Sequence, residues 1–278
     1  MTAGALVAAA ATALAEAGVE GPVREAGLLL RAIAATDARL HPEAELGRDV
    51  AATYVAAVGR RARREPYAYI VGYREFAGVD IEVTRDVLIP RPETEMLVQR
   101  AQVLAPPGAT VCDLCTGSGC IALALAKQRP DLEITATDIS AAALAVAERN
   151  AARLGVPVRL RPGDLWQALP VAQRGRLDLC TCNPPYVEAG DLAALAREVR
   201  DWEPGIALVP AAGWRSLYRR LASGAVDWLR PGGHLLCEVG AGQAADVAGI
   251  YRSAGLVQVR TEADLAGMPR MVEGRRPQ

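Results

Sequence analysis

Asn183-Pro184-Pro185-Tyr186 follows an apolar run, Leu177–Cys182, and combines residue types that can hold a reacting nitrogen. Two consecutive prolines keep the backbone extended and remove two N–H donors, leaving carbonyls as acceptors. The Asn183 side-chain oxygen and the Pro184 carbonyl are then placed to accept both hydrogens of a substrate NH2 group. A planar amide or an aromatic amine would suit, with Tyr186 as a flat surface to stack on it. Asn-Pro alone reads as a rigid turn after a strand. A glycine loop about 65 residues earlier changes that reading.

The loop is Asp113-Leu114-Cys115-Thr116-Gly117-Ser118-Gly119, at the end of the apolar run that starts at Ala109. Its glycines let the backbone turn tightly and approach a ligand closely. A nicotinamide or flavin nucleotide is the first competitor, but its pyrophosphate is disfavoured beside the Asp113 carboxylate. S-adenosyl-L-methionine carries a sulfonium and an ammonium and no phosphate, which matches an acid there. Asp138 ends the next apolar run, 19 residues beyond Gly119, and is placed to accept both hydroxyls of a ribose. Asp164 follows the third run and is placed for the adenine amino group, with Leu165 over the purine face. Each acid alone reads as a cap or turn residue; acids ending three successive strands make a pattern.

These residues need a sheet to hold them. Strand and helix alternate along the chain: 109–114, 119–128, 133–138, 141–154, 157–160 and 177–182, then a helix over 214–229, a strand over 234–239 and a helix over 243–254. Such alternation predicts an α/β, Rossmann-like, mostly parallel sheet covered on both faces, with ligands beyond the carboxyl ends of its strands. Residues 256–261 and 270–273 add a C-terminal antiparallel hairpin. Before Glu65 the pattern is helical only: Leu6, Ala10 and Leu14 recur at a spacing of four, Arg24–Ala35 carries an apolar stripe, and a long helix is expected over Pro42–Arg64 with Val50, Tyr54, Ala57 and Val58 inward. Tyr67–Gly72 and Val79–Val83 read as strands of a hairpin. The expected organisation is a small helical domain over 1–65, a β-hairpin linker over 66–90 and a methyltransferase domain over 91–278.

Composition narrows the function classes. Of 278 residues, 31 are Lys or Arg and 32 Asp or Glu, so bulk charge does not drive binding to nucleic acid or membrane. Arg60, Arg61, Arg63 and Arg64 are a local exception, read either as charge at a helix carboxyl end or as a contact for RNA or an acidic partner. Only two histidines occur, which disfavours a histidine base or a histidine metal site. Cys112-x-x-Cys115 and Cys180-x-Cys182 resemble metal or redox spacings, but most of the six cysteines fall in or beside apolar strands, where a thiol packs as a small hydrophobe. No metal is expected. The Ala-rich start lacks a basic flank and carries Glu16, and no run reaches the ~18–20 apolar residues of a membrane span. A cytoplasmic protein, monomeric and without a membrane partner, is the expectation.

From about Glu65 onward the chain resembles the protein-(glutamine-N5) methyltransferases specific for peptide chain release factors, the HemK-like family. The resemblance rests on Pro66-Tyr67-Ala68-Tyr69-Ile70-Val71-Gly72, Glu75-Phe76, Leu88-Ile89-Pro90-Arg91-Pro92-Glu93-Thr94-Glu95, Asp113–Gly119, Asn183–Tyr186, Glu203-Pro204, Glu238-x-Gly240 and Asp264-Leu265-Ala266-Gly267. The Ile89–Glu95 segment separates this family from other Asn-Pro-Pro-Tyr methyltransferases. The resemblance implies a class I methyltransferase fold in which Cys115, Thr116, Gly117, Ser118, Gly119 and Asp138 contact S-adenosyl-L-methionine. It also implies that Asn183, Pro184, Pro185 and Tyr186 hold the glutamine of a Gly-Gly-Gln motif in class 1 release factors, and that the helical domain helps hold that protein. Cys115 replaces a more usual glycine, and Leu165 stands where some relatives have tryptophan. The competing reading is an adenine-N6 methyltransferase acting on DNA or RNA, which would want a basic channel; no direct nucleic-acid substrate is expected. A non-enzymatic scaffold would be expected to have lost Asn183 or Tyr186.

Overall fold

The hydrophobic periodicities resolve into two compact units in a computed structural model that describes residues 1–278. One unit comprises Met1–Tyr73 with Leu195–Trp202, the other Arg74–Ala194 with Glu203–Gln278.

The first unit is helical: α1 (Ala3–Glu16), α2 (Pro22–Ala34), α3 (Arg48–Ala62), the short α4 (Tyr67–Val71) and a single turn, Arg197–Arg200. Leu6, Ala10 and Leu14 bury one stripe of α1 against Leu29 and Leu30 of α2 and Tyr54, Ala57 and Val58 of α3. The Tyr54 hydroxyl donates to the Ala26 carbonyl at 3.0 Å, satisfying a buried polar group. The long helix expected from Pro42 starts only at Arg48. The preceding residues make a turn at Pro42–Glu43 and are then tied to the start of α1, because the Ala3 and Gly4 N–H groups donate to the Ala44 and Pro42 carbonyls and Thr2 bridges Glu45. Tyr67–Gly72, read as a strand, is helix α4. Pro66 sets its entry, Ala68 and Tyr69 are buried, and Gly72 closes it at φ +87°. Packing decides so short a segment over its alternating pattern.

Three of the four arginines of the run are taken up by ion pairs within this unit, and only Arg61 is buried. Arg61 is 7% exposed and pairs with Glu25 at 2.8 Å and Glu198 at 3.0 Å. Arg64 pairs with Glu198 at 2.8 Å and Arg60 with Glu65 at 2.6 Å. The reading of this cluster as a contact for RNA or an acidic partner is therefore corrected at these three positions.

The second unit opens with a hairpin, β1 (Tyr73–Phe76) and β2 (Val79–Glu82), turned by Ala77 and Gly78 at φ +47° and +80°. Two left-handed residues give the turn whose twist matches a hairpin. After a 3-10 turn at Pro92–Thr94 come α5 (Glu95–Leu104), β3 (Thr110–Leu114), α6 (Cys120–Gln128), β4 (Glu133–Asp138), α7 (Ala141–Leu154), β5 (Val158–Pro162) and β6 (Leu177–Cys182). The remainder is α8 (Trp214–Trp228), β7 (Leu229–Glu238), α9 (Ala244–Ser253), β8 (Val257–Ala263) and β9 (Pro269–Arg275).

The seven-stranded sheet runs in the order β5-β4-β3-β6-β7-β9-β8. The first five are parallel; β9 is antiparallel to both β7 and β8. The strand order reverses at β3, which lies between β4 and β6, so the crevice beyond its carboxyl end is the topological place for a ligand. All six cysteines are free thiols, and Cys112 is level with Cys180, and Cys182 with Cys237, across the central strands. Burial pushes the Cys180 and Cys182 thiols well up, so they pack as neutral groups.

Candidate active site

At the carboxyl end of β3 the chain must leave a buried strand, turn, and enter α6 within a few residues. Cys115, Gly117 and Gly119 do this at φ +57°, +56° and +82°. Glycine takes that conformation freely; at Cys115 it costs roughly 1–2 kcal/mol. The loop is pinned directly to β4 and, through Asp113, to β6. Thr116 N–H donates to the Thr137 carbonyl at 2.9 Å, and Gly117 N–H to Asp138 Oδ2 at 2.8 Å. Asp113 is fully buried, with Oδ2 accepting from the Thr116 hydroxyl at 2.6 Å and Oδ1 from the Thr181 hydroxyl at 2.7 Å. Thr181 reaches it because the two residues are register partners across β3 and β6. Burial nevertheless pushes the Asp113 carboxyl up to about 6. Asp113 thus ties the loop to the sheet and stands behind the cavity wall, where the sequence suggested a direct partner for a cationic head group.

The cavity has a volume of about 330 Å³, within the range of small-molecule sites. Of the residues singled out in the sequence, Cys115, Thr116, Gly117, Ser118, Asp138, Asp164, Leu165, Asn183 and Pro185 line it. Gly119 does not: a side chain there would run into Leu123 and Ala147, so this glycine serves the helix packing. Asp138 ends β4 with Oδ1 accepting from Ser140 N–H at 2.9 Å, and burial raises its pKa. Asp164 pairs with Arg220 of α8 at 2.6 Å, and Leu165 follows at φ +50°. Arg220 is the one cation lining the cavity, and sequence reading had missed it. Nothing in its helix pattern marks it out.

The Asn-Pro-Pro-Tyr segment leaves β6 along the opposite wall. Asn183 Nδ2 donates to Thr94 Oγ1 at 3.1 Å, and no protein donor occupies Asn183 Oδ1. Pro184 is buried. Tyr186 lies behind the wall, its hydroxyl donating to Glu238 Oε1 at 3.1 Å and its carbonyl accepting from Gln243 Nε2 at 2.9 Å. A side chain at Gly240 would come within 3.0 Å of the Tyr186 ring. Glu238, Gly240 and Gln243 therefore form a seat for that tyrosine. Glu238 also accepts from the Thr94 hydroxyl at 2.5 Å, so one carboxylate ties both ends of the clamp. Thr94 and Glu238 carried no role in the sequence reading. Glu238 ends an apolar strand in the manner of Asp113 and Asp138, and that signal, applied once more, would have found it.

Sheet order, glycine loop and acid-tipped strands together define a Rossmann-like class I methyltransferase. Residues 92–199 match the family model "Methyltransferase small domain", and residues 5–72 match "PrmC N-terminal domain". The chain is 49% identical over 274 residues to a protein of Cereibacter sphaeroides named release factor glutamine methyltransferase, covering 97% of this chain and 96% of that one. A protein of Geobacter sulfurreducens with the same name is 42% identical over 265 residues, covering 94% and 92%. The chain belongs to the release factor glutamine methyltransferase family.

Among solved structures, it is similar in fold to a methyltransferase from Pyrococcus furiosus, at a TM-score of 0.55 and 17% identity, over 72% of this chain and 90% of that one. It is also similar to the hMettl16 catalytic domain in complex with the MAT2A 3'UTR hairpin 1, at 0.58 and 14%, over 84% and 83%. At such identities the likeness is one of fold.

Proposed function

We propose that the protein transfers a methyl group from S-adenosyl-L-methionine to the side-chain amide N5 of the glutamine in the Gly-Gly-Gln motif of class 1 peptide chain release factors. The observation that carries this reading is the state of Asn183: its NH2 is held by Thr94 while its carbonyl oxygen is left as an acceptor at the cavity wall. Such an acceptor binds an N–H donor, and a primary carboxamide supplies one. The relatives' names support the choice of glutamine in a release factor, and a translation factor as partner agrees with a cytoplasmic site of action. No helix is long and apolar enough to cross a membrane.

The cavity suits S-adenosyl-L-methionine better than a dinucleotide. Its one cation, Arg220, is already paired with Asp164, so a pyrophosphate would find no free positive side chain. The Asp138 oxygens each accept one backbone N–H and retain lone pairs for ribose hydroxyls. A Cβ at Gly117 would meet no protein atom within 4 Å, so the loop backbone is open to close approach there. Asp164 and Leu165 would face the adenine, Thr116 to Ser118 the methionine portion.

When bound, this cofactor supplies an electrophilic methyl group. An amide nitrogen is a poor nucleophile because its lone pair is delocalised into the carbonyl. Asn183 Oδ1, by accepting one N–H bond, raises electron density on that nitrogen and fixes its direction; the Pro184 carbonyl, expected from the sequence as the second acceptor, does not line the cavity. Orientation of this kind is worth ~7–11 kcal/mol of barrier in well-placed systems, more than general acid–base help usually gives. Hydrogen-bond acceptors fixed where positive charge develops add to it. The cationic N-methylated amide is a strong acid and gives its proton to solvent water after, or late in, methyl transfer, so no histidine base is required.

Labelled S-adenosyl-L-methionine should label an intact release factor and not one whose Gly-Gly-Gln glutamine is alanine. Asn183→Ala should lower kcat by about 10²–10³-fold, as loss of one preorganised polar partner does elsewhere, with cofactor affinity within a few-fold. Label on nucleic acid, or label independent of that glutamine, would overturn the reading in favour of an amine in a base.

A further inference from the structure

Asn183 can act as an acceptor only if its carboxamide is turned one way, and an amide has two faces of similar shape. We infer that Thr94 and Glu238 are positioning residues that set this orientation: the Glu238 carboxylate takes the only proton of the Thr94 hydroxyl, which leaves Thr94 able to accept alone and obliges Asn183 to present its NH2 to it. The inference rests on the proposed methylation of a carboxamide or amine nitrogen and adds to it the device that arms the clamp.

The geometry supports this at each link. Thr94 Oγ1 lies 2.5 Å from Glu238 Oε2 and 3.1 Å from Asn183 Nδ2. A hydroxyl has one donor, and an ionised carboxylate has none. With the proton on the Thr94–Glu238 bond, the hydroxyl oxygen has only lone pairs to offer Asn183. The second carboxylate oxygen holds the Tyr186 hydroxyl at 3.1 Å, so the same charge fixes the far end of the tetrapeptide. Thr94 is 1% exposed and Glu238 2%, so water does not substitute for either partner.

The device works only while Glu238 is ionised. A protonated Glu238 can donate to Thr94; Thr94 can then donate to Asn183, and the reversed carboxamide becomes equally well bonded. Its acceptor oxygen would point at the threonine and its NH2 at the substrate, donor against donor. Burial pushes Glu238 up to about 7, against the hydrogen bonds from Thr94 and Tyr186 that hold it down. The charged and titratable groups around it are Glu93 beside Thr94, which raises it, Arg270 of β9, which lowers it, Tyr186, Tyr218 of α8, whose hydroxyl donates to the Glu238 carbonyl, and Cys120 of α6, whose thiol burial and the Glu238 charge push up. Activity should therefore climb as the pH rises through the neutral range, with the Glu238 ionisation as its lower limb.

The test uses the full-length protein with Thr94→Val, Thr94→Ser and Glu238→Gln. Thr94→Val keeps the shape and removes the hydroxyl; kcat should fall by about 10–100-fold, with KM for the acceptor moving less and the neutral-range limb lost. Thr94→Ser should restore both rate and limb. Glu238→Gln cannot ionise and should lose the neutral-range limb, while its carbonyl oxygen can still accept from Thr94. A readout that needs no turnover is the Asn183 side-chain amide resonance of 15N-labelled protein. It should titrate with a midpoint near 7 in the wild type, be displaced and pH-independent in Thr94→Val and Glu238→Gln, and return in Thr94→Ser. Thermal melting of each variant reports whether it is folded. Thr94→Val with wild-type kcat and pH profile, or a wild-type Asn183 resonance that does not titrate, overturns the inference. If the wild type labels an acceptor other than glutamine, the proposed substrate fails while the amide titration still judges the relay.

Discussion

Gly117 and Gly119 share a left-handed backbone, yet substitution should damage different properties. At Gly117 a Cβ meets no protein atom within 4 Å and would stand in the cavity. Gly117→Ala should cost about 1 kcal/mol of stability through its backbone and weaken cofactor binding by at least 10-fold, read by calorimetry. At Gly119 a Cβ would lie 2.9 Å from Leu123 Cδ1 and 3.2 Å from Ala147 Cβ. Gly119→Ala adds overpacking of about 1–3 kcal/mol to the same strain, so denaturant melts should show it as the more destabilised of the two. Asp113 offers a third measurement. Because burial raises its carboxyl to about 6, the folded state holds a proton that the unfolded chain has lost between about pH 4 and 6. Stability from this group is present at the acid end and falls as pH rises through that window. Asp113→Asn should lack that fall, so the two unfolding curves should approach one another on acidification. The residues of the glycine loop and the clamp were legible because their types are chemically unusual at strand ends. Asp113's indirect position was not, since threonine hydroxyls from two separate segments take up its oxygens and no local pattern reports that.

Elements were legible where periodicity and length agreed. β4, α7 and β6 match their apolar runs at both ends, as each strand is buried on both faces and each helix closes on a cap or a glycine. β7 is longer than its apolar run: it starts at Leu229, because Leu177 of β6 pairs there before a register shift. Arg230-Pro231-Gly232-Gly233 gives no strand signal, and only the neighbouring strand supplies one. Helix α8 shows a further demand that its own pattern conceals. Gly224 faces the Trp166 ring so closely that a Cβ would lie 2.1 Å from Cδ1, and Trp166 in turn stacks on Trp228 at 6.4 Å. Gly224→Ala should therefore cost about 2–3 kcal/mol, against the slight gain expected from alanine in an open helix. A melting temperature at or above wild type would contradict this packing account. The ring cannot yield freely, being only 6% exposed.

At the scale of the molecule, the first unit is stapled by charge as well as by its alanine- and leucine-rich core. Arg61 holds Glu25 of α2 and Glu198 of the Arg197–Arg200 turn, all three largely buried. Without Arg61, Glu25 loses its ion-pair partner while Glu198 keeps Arg64, so Arg61→Ala should destabilise by no more than the about 3–5 kcal/mol of a fully broken buried pair. Arg61→Met, which removes the same charge but keeps more of the packing, should cost less by the share that packing contributes; loss equal to alanine would assign the whole effect to charge. None of this was visible in the arginine run, whose partners lie 36 and 137 positions away along the chain. The same separation bears on synthesis. A chain made from its amino end at ~5–20 residues per second reaches the Glu198 codon about 7–27 seconds after Arg61, so the earliest-made unit waits, one staple short, until most of the protein has been translated.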